Sequence, residues 1–392
     1  MTEPVGRQPG AGPAAGSERA AGAARPAPAE VLAAYAPAAG LPARVVPFGR
    51  ARDARELRDL LARNPFLMAP MAGVSDSAYR LMARCGGAAL AYTEMVSVAG
   101  IHYGGDKTWE LAWPHDPEPD IAVQLFGSKP DQFREAAAGM RERLGNRLAL
   151  IDINMACPVP KVTRKGEGSA LMDDPALSAR IVRACLDEAG VVVTVKIRRG
   201  RVDGVELAPE FARAMEDAGA CAVAVHGRYA SQYYRGQADW GVVSRVVDAV
   251  DVPVIASGDI LTPQAAARVL SETGATAAMV ARGSYGNPWI FSDARCMLAG
   301  EEPPVRDWAQ RVAAFACHAR LLAATGAHMA RARSLATWYL RGMPEASHWR
   351  GRAMRCDTLE EFLALADELQ AAMAGAGACA GVRVGTGERS DA

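Results

Sequence analysis

This chain of 392 residues has no excess charge of either sign, no Cys-x-x-Cys pair and no long apolar run. Lysine and arginine together number 44 and aspartate and glutamate 44, so the formal net charge is zero and a generic nucleic-acid-binding composition is excluded. The eight cysteines are scattered and the six histidines dispersed, which leaves neither a disulfide framework nor a metal cluster to build on. No stretch of 18 apolar residues could cross a bilayer, and the first residues lack the charged-then-apolar design of a signal peptide. A soluble protein with reduced thiols, in the cytoplasm and away from membranes, is the expectation.

What is present is ample core material, since half of the residues are apolar. Residues 1–42 and 375–392 are rich in Ala, Gly and Pro with almost no large apolar side chains, and both are expected to be disordered tails. Between them, short β-branched or apolar runs recur about every 30 residues: 66–69, 88–93, 121–126, 149–154, 191–197, 220–226, 253–257 and 276–281. Helical patterns intervene at 75–85, 130–144, 175–188, 207–218, 240–250 and 262–272. Eight β-then-α units of this length predict a closed (β/α)8 TIM barrel over 43–305. A doubly wound open sheet is the alternative, although no Gly-x-Gly-x-x-Gly follows the first strand. From Trp308 the strand pattern stops, and a small all-helical domain is expected over 306–374.

The carboxyl ends of barrel strands build the active site, so the residues there form a set of candidates. They are Pro70, Met71, Ala72 and Gly73; Glu94; Gln124; Asn154 with Cys157; Lys196 with Arg198; His226; Ser257, Gly258 and Asp259; and Ala281, Arg282 and Gly283. Cys157 stands out because it follows a buried-strand pattern and is fixed by Pro158, with Lys161, Arg164 and Lys165 on the same loop. A thiol of ordinary pKa, about 8.5, is mostly protonated at neutral pH and can deliver that proton. Glycine lets backbone N–H groups approach a phosphate and arginine supplies a fork, so the turns after the seventh and eighth strands imply a phosphate-bearing cofactor. Lys196 ends an apolar strand and needs a negative partner, and Gln124 offers the donor and acceptor that read an imide edge; both suit the polar edge of a flavin.

These residues resemble the tRNA-dihydrouridine synthase family. The resemblance is carried by 69–76 (Ala-Pro-Met-Ala-Gly-Val-Ser-Asp), 123–127, 152–161, 168–172, 195–198, 225–228 and 286–291, in order and spacing, and covers the barrel from Phe66 to about Leu298. It implies an FMN-bound barrel that uses NADPH to saturate the C5–C6 bond of uridine in tRNA, with Cys157 protonating C5 opposite the hydride. By the same match Pro70, Met71 and Ala72 lie along the flavin ring, Gln124 and Lys196 contact its polar edge, and His226 lies nearby. Ser257, Gly258, Asp259, Ala281 and Arg282 hold the phosphate, while Asn154, Lys161 and Arg198 become candidates for contacting the uridine. The sequence departs from the family pattern at Ala156 and Ala281, each in place of glycine, at Ser257 in place of asparagine, and at Ser334-Leu335 in place of a Lys-His pair.

From Arg311 to Cys356 eight arginines face the single acid Glu345, with Trp338, Tyr339 and Trp349 interleaved. Phosphate contacts with base stacking are the expectation for this segment, and a monomer is the simplest assembly. A flavin barrel reducing a free pyrimidine, and a catalytically silent RNA-binding barrel, are the rival readings.

Overall fold

The computed structural model describes residues 25–375. The first elements are helices α1 (Pro28–Tyr35) and α2 (Ala54–Arg63), then strand β1 (Phe66–Met68) and α3 (Ser77–Cys85). After them come β2 (Val96–Ser97), α4 (Val98–His102), α5 (Asp106–Glu110), β3 (Ile121–Phe126) and α6 (Pro130–Leu144). The second half of the barrel runs β4 (Leu148–Met155), α7 (Pro160–Thr163), α8 (Pro175–Ala189), β5 (Val193–Gly200), α9 (Ala208–Asp217), β6 (Val223–Tyr229) and α10 (Gly241–Val247). It ends with β7 (Val254–Ser257), α11 (Pro263–Thr273), β8 (Ala277–Val280) and α12 (Ile290–Leu298), before four helices α13 (Trp308–Ala324), α14 (Arg331–Tyr339), α15 (Ala346–Ala353) and α16 (Leu359–Gly375). Local chemistry sets the helix starts: Asp76, Asp174 and Thr262 accept backbone N–H bonds as N-caps of α3, α8 and α11, and proline opens α6, α8 and α11 where no N–H is needed.

All eight strands are parallel, in the order β1-β8-β7-β6-β5-β4-β3-β2. The run expected as the second strand, 88–93, closes the ring without becoming a regular strand. On one side Ala89 donates to the Phe66 carbonyl and Met68 to that of Leu90; on the other Ala122 donates to Ala91 and Thr93 to Ala122. The regular ladder with β3 forms only later, at Val96–Ser97. The (β/α)8 barrel and the helical domain after it are therefore as the sequence predicts.

Apolar residues sort into three bodies. One fills the barrel, with Leu67, Leu90, Leu150, Val192 and Ile255 inside and Phe48, Leu57 and Leu61 plugging the floor. The second lies between strands and outer helices, and the third joins the four C-terminal helices to α3 and Trp289. Among the described residues no helix is long and apolar enough to cross a membrane.

The N-terminal expectation needs correction. Residues 1–24 and 376–392 lie outside the described residues, but the disordered tail drawn to residue 42 is ordered from Pro28. Val31, Leu32, Ala36, Ala39 and Leu41 are buried against Val312 and Phe315 of α13, and the Trp289 indole donates to the Ala39 carbonyl at 3.0 Å. A few apolar residues suffice there because their partners already form a core, so the segment need not supply one of its own.

Candidate active site

Side chains along a strand alternate faces, and the interior positions of the barrel place Gln124, Asp152, Asn154, Thr194, Lys196 and His226 toward the carboxyl ends. They form one hydrogen-bonded layer. Gln124 donates to Asp152 at 2.6 Å, Thr194 donates to the other Asp152 oxygen at 2.7 Å, and Asn154 donates to the Gln124 amide oxygen at 2.8 Å. Burial pushes the Asp152 carboxyl up to about 6, against the pull of Gln124, Thr194 and Lys196. Gln124 is fully buried, and the amide expected to read a ligand edge is fixed by Asp152 and Asn154.

Lys196 is the exception in this layer. It is 8% exposed, and burial, then the like charge of Arg198, pull its pKa down to about 8. It makes no hydrogen bond or ion pair with another described residue. At neutral pH it is thus a largely desolvated ammonium facing the mouth, with the Asp152 charge nearby but no carboxylate in contact, an arrangement whose cost an anionic ligand would offset.

Cys157 sits on the loop after β4 and is half-buried. Its backbone N–H is held by the Asn154 side-chain oxygen at 2.9 Å, and its carbonyl accepts from Ser169 at 3.0 Å. Arg198 locks the same loop by donating to the Ala156 carbonyl at 2.8 Å, and to the carbonyls of Tyr229 and Tyr233 at 3.1 and 3.0 Å. Gly168 presses against this loop with φ of +62°; a Cβ there would lie 2.7 Å from the Cys157 carbonyl oxygen, so no larger residue fits. Burial raises the thiol's pKa, and the Val159 N–H and the charges of Arg198, Lys161 and Lys196 only partly oppose it. The thiol is protonated at neutral pH. Lys161 is exposed on α7. Asn154 and Arg198, expected at the substrate, are engaged in holding the cysteine.

The turns that follow β7 and β8 lie at the carboxyl ends of these strands. Gly258 and Asp259 both have positive φ, +107° and +53°. Among the described residues nothing accepts from the N–H groups of Gly258, Asp259, Arg282 or Gly283, which is the donor set a phosphate needs. The Asp259 carboxylate is occupied elsewhere: buried Arg228 grips both oxygens at 2.7 Å, and Ala238 N–H and Arg282 add bonds at 2.8 and 3.0 Å. Asp259 therefore shapes the turn with its side chain and offers only its N–H. Burial and the surrounding lysine and arginines hold His226 well below its usual pKa, so it is neutral. Ser257 is buried beside it in register, Ala281 follows β8, and Met71 packs against both the interior and the outer core, with Pro70 and Ala72 at the rim.

Two features were not singled out from the sequence, and a third, the strand-end candidate Glu94, has an unforeseen partner. Asp152 is legible as an acid inside an otherwise apolar strand. Tyr233, strained at φ +53°, and Tyr234, 59% exposed, form an aromatic rim after β6, with the guanidinium of Arg282 5.2 Å from the Tyr234 ring. Glu94 pairs with Arg331 of α14.

The arginine-rich segment is also less free than its composition suggests. Arg331, Arg333 and Arg352 pair with carboxylates, and Arg311 and Arg320 lie over the rings of Trp308 and Tyr35. The three aromatics expected to stack on bases are structural. Trp338 stacks on Tyr285 at 4.2 Å and 15°, and Tyr339 and Trp349 are buried in the helical core. Arg341, Arg350 and Arg355 remain without a carboxylate partner among the described residues.

Barrels of this topology do their chemistry where their strands end, and here that is where the thiol, the unpartnered lysine and the free N–H groups gather: the chain is a (β/α)8 barrel with an enzyme-like mouth. Among the described residues no group of three or more His, Cys, Asp or Glu side chains could hold a metal ion. The protein belongs to the dihydrouridine synthase (Dus) family, whose pattern matches residues 67–375. It is 39% identical over 318 residues to tRNA-dihydrouridine synthase B of Xanthomonas axonopodis pv. citri, covering 79% of this chain and 94% of that protein. The probable tRNA-dihydrouridine synthase 1 of Synechocystis sp. is 35% identical over 318 residues, 80% of this chain and 88% of its own. The tRNA-dihydrouridine synthase B of Serratia marcescens is 39% identical over 245 residues, 62% and 72% of the two chains.

Proposed function

We propose that this protein reduces the C5–C6 double bond of uridine in tRNA, with FMN as its resident cofactor and NADPH as the reductant, as a cytoplasmic monomer. The observation that carries the reading is the protonated Cys157 thiol, clamped at the barrel mouth beside a desolvated lysine that no carboxylate contacts. Bound FMN would supply a hydride to C6 of the uracil ring, and NADPH would replenish it. The chain's own residues do the rest. Cys157 gives its proton to C5, so hydride and proton together saturate the bond, and the thiolate left behind is stabilised by the positive charges of Arg198, Lys161 and Lys196 until solvent reprotonates it. The cofactor phosphate would be held by the free N–H groups of Gly258, Asp259, Arg282 and Gly283 with the Arg282 guanidinium. Lys196, backed by the Gln124–Asp152 pair, would neutralise negative charge on the isoalloxazine edge, with Pro70, Met71, Ala72 and His226 around the ring.

The uridine must leave its stack to reach a mouth this deep. Lys161 and the Tyr233–Tyr234 rim stand where they could meet it, and Asn154 and Arg198 serve it indirectly, through the cysteine loop. The deciding experiment bleaches the purified flavoprotein with NADPH under anaerobic conditions and adds tRNA lacking dihydrouridine, or free uracil. Fast reoxidation by tRNA alone supports the reading. Reoxidation by uracil and not by tRNA moves the substrate to a free pyrimidine, and a colourless protein that takes up no FMN overturns the proposal.

A further inference from the structure

The loop after β1, residues 70–76, is a tight turn closed on itself. Met71 N–H donates to the Ser75 hydroxyl at 3.0 Å, and the N–H groups of Val74 and Ser75 both donate to the Met71 carbonyl. Its outward ties converge on one side chain of the helical domain. Arg331 of α14 donates to Asp76 at 2.8 Å, to Glu94 at 3.2 and 3.3 Å, and to the Gly73 carbonyl at 3.5 Å. The second Glu94 oxygen accepts from the Gly73 N–H at 2.6 Å, and the second Asp76 oxygen caps α3 through Tyr79 at 2.9 Å. Arg80, through the Ser75 carbonyl, adds a separate tie.

We infer that Arg331 is a positioning residue for the cofactor: it holds the β1 loop over the barrel mouth by neutralising Asp76 and Glu94. The inference rests on the FMN reading of the mouth. Burial alone raises the Asp76 pKa, and the arginine opposes that shift. Without Arg331 two largely buried carboxylates face each other's surroundings uncompensated, one protonates or moves, and the Gly73 anchor goes with it. Because the side chain comes from α14, one ion cluster links the helical domain to the loop that borders the cofactor site. This gives the C-terminal domain a part in holding FMN in addition to any contact with tRNA.

The test is FMN binding to the full-length apoprotein, followed by flavin fluorescence without tRNA or NADPH, for wild type, Arg331→Gln, Glu94→Gln, the double variant and Arg331→Lys, with thermal unfolding alongside. Each neutralising variant should weaken FMN about fivefold or more. The double variant should be no worse than either single change, because both remove the same clamp, and Arg331→Lys should recover part of the affinity. An unchanged FMN affinity in Arg331→Gln, even with a lowered melting temperature, reduces the cluster to a domain bond and overturns the inference while leaving the flavin reading intact. Additive losses overturn it as well. A wild type that binds no FMN removes the flavin reading and this inference together.

Discussion

The two ends of the barrel treat buried charge in opposite ways. At the floor, where strands begin, Arg84 pairs with Asp120 at hydrogen-bond distance, and both side chains are almost wholly buried. Asp120 also accepts from the N–H groups of Phe48 and Gly49, so the entering chain is tied to the same cluster that apolar residues seal. At the mouth, Lys196 has no partner and four backbone N–H groups have no acceptor. Such groups are ones a bound anion can satisfy, and the more buried of them, Lys196 and Gly283, gain most from it. One set of strands thus ends in structure on one side and in unfinished bonding on the other.

The contrast can be broken at four points. Cys157→Ala should slow reoxidation of the reduced flavoprotein by tRNA by about 10²- to 10⁴-fold, the usual worth of a positioned general acid, while NADPH still bleaches the flavin; a wild-type rate in stopped-flow absorbance would relocate the proton donor. At the floor, Leu150→Ala should cost about 2–5 kcal/mol in urea unfolding and leave flavin affinity alone, since it empties space far from the mouth.

Lys196→Met should do the reverse, weakening FMN about tenfold or more while leaving the flavin-free protein as stable or more so. The lysine also has a pH signature. Its folded pKa, about 8, lies below the unfolded value of about 10.4, so between these limits the unfolded chain binds the extra proton. Stability of the flavin-free wild type should therefore rise with pH from about 8 to 10, by at most about 1.4 kcal/mol per unit, and the Met variant should lack that rise. A wild type whose stability is flat over that range would mean that the ammonium is better solvated than its burial implies. The smallest effect is expected on the helical domain, where Arg350→Ala or Arg355→Ala should lower the slope of log affinity for tRNA against log salt by up to about 1 each.

How much of this was legible in the sequence depended on where a residue's partners lie. Strands β3 to β8 and helices α6, α8 and α11 announce themselves because period, proline and caps are local signals. The 88–93 run reads as a strand and closes the barrel, yet its pairing is confined to isolated bridges with β1 and β3. The order of 28–41 was illegible, because Val31 and Leu32 gain burial chiefly against α13, nearly 300 residues away. At the site, residue types at strand ends located Cys157, Lys196 and the two phosphate-type turns. They could not reveal that Asn154 and Arg198 are spent on the cysteine loop, or that Trp338 is spent on Tyr285, since those bonds are set by loop geometry.

The bond from Trp289 to Ala39 spans 250 positions of chain, and the helix before it docks on elements that follow. On the ribosome, residues 28–41 emerge long before Trp289 and α13, on which they dock, have been made. At a synthesis rate of about 5–20 residues per second they wait on the order of ten seconds or more in an unpaired state. Helix α1 is thus translated early and placed late, and trimming the final four helices would leave it without its main partner.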